Sequence, residues 1–187
     1  MLYSLGSAVL QLPPVLVMHA LIDEFCAADG LSARGTRWAA SSDKVMGGVS
    51  QAQMRRLTHA GQACIELSGA VSLENNGGFV QLALDLDADG QNTDARAYRG
   101  LRMLISGNGE PYGVHLRTTA LARPWQSYRA QFEANESWAQ VLLPFASFVP
   151  HRVDTPLDLS MLRRIGFVAI GRAFDAQLRI ARLEFYT

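Results

Sequence analysis

The feature that most constrains this sequence is a period of two. Val80, Leu82, Leu84 and Leu86 alternate with Gln81, Asp85 and Asp87. Tyr112, Val114, Leu116 and Thr118 alternate with Gly113, His115, Arg117 and Thr119, and Tyr128, Ala130 and Phe132 alternate with Ser127, Arg129 and Gln131. Side chains of a strand point to opposite faces in turn, so such segments are antiparallel strands with one side in a core and one in water. No long segment has a helical period. Gly, Asn, Asp and Pro separate the short apolar segments, the pattern of a sandwich or barrel. Asn108-Gly109 between two such runs predicts a hairpin. The last run slips phase: Leu178 and Ile180 fall on one parity, Leu183 and Phe185 on the other, which predicts a β-bulge near Ala181-Arg182. Leu21 to Ala28 reads as a short helix or an edge strand. Pro144 to Val149 and Asp158 to Arg163 read as single helical turns, the second capped by Asp158 or Ser160. Asp87 to Arg96 and Pro150 to Pro156 read as loops. The expected fold is an all-β, antiparallel sandwich.

The chain has 187 residues, about one domain's worth. We expect residues 18–187 to form that domain and residues 1–17 to be an extension outside it. Met18 stands as a plausible start after an apolar run that Pro13-Pro14 breaks and that is too short to span a membrane. A degenerate export signal is the alternative, although no Lys or Arg precedes the run. The formal net charge is +0, so no global field draws the chain to nucleic acid or to anionic lipid. Of the 17 basic residues only Lys44 is lysine, which points to a GC-rich, bacterial coding sequence. Cys26 and Cys64 form no C-x-x-C, and we read them as two buried thiols of a reducing, cytoplasmic compartment.

The sequence carries no catalytic constellation. It has no G-x-S-x-G turn, no H-E-x-x-H and no phosphate-binding loop. His19, His59, His115 and His151 lack metal-ligand spacing, so we expect no metal and no cofactor. Two Gly-rich loops stand out: Asp43-Lys44-Val45-Met46-Gly47-Gly48-Val49-Ser50 and Ser72-Leu73-Glu74-Asn75-Asn76-Gly77-Gly78-Phe79. Gly47, Gly48, Gly77 and Gly78 permit left-handed backbone or close approach, and they read first as tight turns that pack together. The alternative is a binding rim presenting Asp43, Glu74, Asn75 and Asn76. A polar strand face is a second candidate, with Arg102, His115, Arg117, Arg129 and Gln131 on one sheet and Trp125 and Tyr98 near its edges. Arg and aromatic side chains on such a face suit a sugar.

The two loops resemble a pair found in the CIA30 family, the relatives of complex I intermediate-associated protein 30: D-x-V-M-G-G-x-S, here Asp43 to Ser50, and S-L-E-x-N-G-G-F, here Ser72 to Phe79. Further similar motifs follow in order: Tyr98-Arg99-Gly100-Leu101, Gly107-Asn108-Gly109 with Tyr112 and Leu116-Arg117, Tyr128 with Phe132, and Trp138 with Pro144-Phe145 and Phe148. The resemblance spans roughly residues 22–185. It implies a jelly-roll sandwich like that of galactose-binding domains, and a non-enzymatic role.

Two kinds of function are therefore expected. One is an assembly factor or chaperone-like module for a respiratory, complex I-type assembly, whose partner is a protein and whose contacts include Trp125 and Trp138. The other is a carbohydrate-binding module whose ligand is a sugar.

Overall fold

The computed structural model describes residues 20–187; the expected extension over residues 1–17 and the start at Met18 lie outside the described residues. Among the described residues twelve strands run in order: β1 (Leu21–Asp23), β2 (Ala39–Ser42), β3 (Gln53–His59), β4 (Gln62–Val71), β5 (Phe79–Asp85), β6 (Gly100–Gly107), β7 (Glu110–Thr118), β8 (Ser127–Ala134), β9 (Ala139–Pro144), β10 (Val149–His151), β11 (Leu162–Ile170) and β12 (Phe174–Tyr186). They form two six-stranded sheets, all of whose pairings are antiparallel. The first has the order β3-β4-β12-β6-β9 with β1 also on β12, and the second has β10-β8-β7-β11-β5-β2. Alternate residues of each sheet meet in one core. Val80, Leu82, Leu84, Tyr112, Val114, Leu116 and Tyr128 of the second sheet are buried there with Ile65, Leu67, Met103, Ile105, Leu178 and Ile180 of the first. Burying each such side chain contributes roughly 1.5–3 kcal/mol. Phe167 sits among rings, with Trp38 5.9 Å and Phe132 6.2 Å away between centroids.

The bulge falls where the phase slip puts it. Pairing of β12 with β6 shifts register between Ile180 and Arg182, so Leu183 and Phe185 return to the core side after Ile180. Of the three segments with helical alternatives, Leu21 begins an edge strand on β12 and the other two are single 3-10 turns, Phe145–Ser147 and Leu159–Met161. Asp158 caps the latter by accepting from the Ser160 amide.

The Asn108-Gly109 turn corrects the hairpin expectation. β6 pairs with β12 and β9, whereas β7 pairs with β11 and β8, so the turn carries the chain from one sheet to the other. Both flanking strands need a partner on each side, and each finds both in its own sheet. The tight hairpin is instead β3–β4, turned by Ala60 at φ 47° and Gly61 at φ 79°, the two left-handed residues that match strand twist. Pro150 to Pro156 is a loop only in part, since β10 takes its first two residues. Cys64 is buried but Cys26 is exposed, and neither is bridged. Among the described residues no helix is long and apolar enough to cross a membrane.

Candidate functional site

Asp43 joins the two Gly-rich loops. It opens a 3-10 turn, Asp43–Met46, capped by Ser42 and ended by Gly47 at φ 90°. Its side chain is fully buried and its oxygens point inward. Oδ1 accepts from the Ser50 amide at 2.9 Å; Oδ2 accepts from the Ser50 hydroxyl, from the Gly78 amide at 2.5 Å and from the Phe79 amide at 3.3 Å. The Ser50 hydroxyl oxygen in turn accepts from the Ser72 amide at 2.9 Å. Burial alone would raise the Asp43 pKa. The hydrogen bonds from Ser50, Gly78 and Phe79 outweigh it and hold the carboxyl below its ordinary value. A Cβ at either Gly48 or Gly77 would fall on the Asp43 carboxyl, so both glycines are set by this packing.

The fastened loops push their remaining side chains outward. Glu74, Asn75 and Asn76 are exposed on a turn where both asparagines are left-handed, at φ 54° and 56°. Asn75 Nδ2 donates to the Gly47 carbonyl across the two loops at 3.3 Å. Apolar side chains are exposed beside them: Val45 at 77%, Met46 at 66%, Leu73 at 52%, and Val49. Ile170, also exposed, adjoins them because it pairs with Phe79 and Gly171 donates to the Gly78 carbonyl. Five of the nine large apolar side chains exposed among the described residues thus belong to one rim.

The second candidate lies on the outer face of the second sheet. Cross-strand register sets Val149, Arg129, His115, Gly166, Ala83 and Ala39 in one row across six strands. Arg117 pairs with Arg164 one row away, and Gln131 with Gly113 on the other side. Arg164 meets Asp85 through two bonds of 2.7 and 2.8 Å. Among the described residues Arg117 makes no ion pair; its guanidinium donates to the carbonyls of Leu121, Arg123, Pro124 and Gln126. It thereby clamps the loop that holds Trp125, half exposed with Arg123 6.0 Å from its ring. Burial, then Arg129 and His151, push the His115 pKa down to about 3, so it is a neutral donor and acceptor at neutral pH.

His115, Arg117, Arg129 and Gln131 share this face as expected, but Arg102 does not. It lies on β6 in the other sheet, bonded to Glu184 at 3.1 Å. Tyr98 stacks on Phe185 at 5.2 Å beneath the first sheet. Trp138 is half buried, its indole donating to the His59 carbonyl at 3.1 Å. Ser50, Gly166 and His151 were not singled out from sequence. Ser50 closes the first loop motif and could have been found there. The other two could not, since their place depends on cross-strand register.

A family model described as Complex I intermediate-associated protein 30 (CIA30) matches residues 29–180. No curated protein matches the chain. Several solved structures are similar. The family 11 carbohydrate-binding module from Clostridium thermocellum, solved with a beta-1,3-1,4-mixed-linked tetrasaccharide, has a TM-score of 0.65 at 14% identity over 90% of this chain and 95% of that one. A family 30 carbohydrate-binding module has a TM-score of 0.64 at 13% identity over 92% and 90%. An exo-beta-agarase has a TM-score of 0.57 at 12% identity over 90% of this chain and 25% of its own. At such identities the likeness is one of fold, a galactose-binding-like jelly roll.

Proposed function

Because this chain belongs to the Complex I intermediate-associated protein 30 family, we propose that it works by binding a protein, as an assembly factor or chaperone-like module, and catalyses no reaction. The observation that carries this reading is the apolar rim of Val45, Met46, Val49, Leu73 and Ile170. Apolar side chains clustered on a surface favour a partner that removes them from water. The rim is also preorganised: Asp43 holds both loops before any partner arrives, so little ordering is left for association. The family's name suggests the partner, a membrane-associated intermediate of respiratory complex I. A photoreactive side chain at Met46, used in the native host, should crosslink to complex I subunits. Capture of no protein from Met46 would remove the reading.

The row of polar and small residues across the second sheet, together with the half-exposed Trp125 on the loop that Arg117 clamps, favours a second reading, carbohydrate binding. Aromatic rings and a few placed polar groups suit a sugar. Binding of the full chain on a glycan array, with loss on Trp125→Ala, would support it; an array without any hit would exclude it.

A further inference from the structure

The outer face of the second sheet carries positive charge that its own carboxylates do not answer. Arg129 donates from Nε to Ser127 Oγ at 2.9 Å, and neither of its terminal nitrogens has a hydrogen bond or an ion pair among the described residues. Arg117 is spent on backbone carbonyls, which hold its geometry but leave its charge. Arg152 and Arg163 add exposed charge nearby without an ion pair among the described residues. Of the carboxylates on this face, Asp85 is taken by Arg164. Glu133 shares the Arg129 face of β8 four residues along, about 13 Å away. Burial and Arg152 lower the Arg129 pKa, which an anion would relieve.

The row that leads to Arg129 is built of small residues, Ala39, Ala83 and the buried Gly166, before it reaches His115. Gly166 has an ordinary φ, and a Cβ there would meet nothing nearer than 3.5 Å, so neither backbone strain nor packing demands glycine at that position; a Cβ at Gly113 would meet the His115 ring at 3.3 Å. From Ala39 through Ala83, Gly166 and His115 to Arg129 the row crosses five strands, about 19 Å at ordinary strand spacing.

We infer that this face takes an acidic polysaccharide, laid across the strands along that row, with a carboxylate or sulfate group on the free fork of Arg129. An Arg fork matches such groups with two parallel bonds. The length of the row suits a polymer. The inference rests on the carbohydrate reading and narrows its ligand class.

The test is calorimetric titration of the full chain with polygalacturonate and with a neutral mixed-linked glucan of similar length. Polygalacturonate should bind, more weakly as salt rises, and the neutral glucan should not. Arg129→Gln should weaken binding about tenfold or more. Gly166→Leu should do the same by filling the row without altering charge. Arg182→Gln, the same charge change on β12 of the other sheet, should leave the affinity unchanged. Equal binding of the neutral glucan overturns the acidic class and leaves the carbohydrate reading standing; binding of neither polymer removes both. Polyglutamate bound as tightly as polygalacturonate, or equal losses in Arg182→Gln and Arg129→Gln, overturns recognition of an acidic glycan.

Discussion

Asp43 is the residue on which the rim depends. One carboxylate satisfies a hydroxyl and three amides from two loops, with two glycines closed over it. Asp43→Ala leaves those donors buried without a partner and should cost about 3–5 kcal/mol, read as a fall in the urea midpoint. Gly48→Ala should cost a similar amount, because the new Cβ meets a carboxyl that cannot move. Stability should depend on pH through two groups. The folded Asp43 pKa lies below its ordinary value, so the unfolded chain binds the proton more readily. Its contribution is present above about pH 3.9 and is lost as pH falls through the folded value. His115, pushed down to about 3, stays neutral in the fold while the unfolded side chain protonates near 6.5. Stability should therefore drop below pH 6.5 by up to about 1.4 kcal/mol per unit, and His115→Gln should flatten that limb of a urea-midpoint against pH plot. The first motif marked Asp43 as a polar group of interest. That its oxygens turn inward was not legible, because no local pattern tells a buried hydrogen-bond hub from an exposed ligand.

Strands were legible as elements and their partners were not. Alternation identifies which residues of one strand share a face, so His115 with Arg117, and Arg129 with Gln131, came out correctly. It does not say which strands are neighbours. Alternation alone therefore puts Arg102 on the face of His115, although it lies in the first sheet, and reads Asn108-Gly109 as the close of a hairpin. The turn instead bridges the sheets and is pinned by side chains: Asn108 Nδ2 donates to the Asp175 carbonyl at 2.7 Å, and the Tyr112 hydroxyl donates to Asn108 Oδ1 at 2.6 Å while accepting from the Gln177 amide at 2.9 Å. Asn108→Ala should lower stability by about 1–3 kcal/mol, measured by thermal or urea unfolding. A variant as stable as the parent would show that backbone alone carries the crossing. The bulge in β12 was legible because a phase slip within one strand is a local signal.

At the scale of the whole molecule, the jelly roll holds two surfaces apart in kind. The loop rim is apolar and fastened from within. The face of the second sheet is polar and cationic. We propose the rim as the surface that meets a protein, and it can be altered without touching the fold, since Val45 and Met46 are exposed and take no part in the Asp43 network. The most direct test is co-purification of complex I subunits from the native host with the full chain and with a Val45→Asp, Met46→Asp variant. We predict that the variant melts at the parent temperature and recovers about tenfold less of those subunits. Equal recovery by a variant of equal stability would contradict the assignment of the rim as the contact surface.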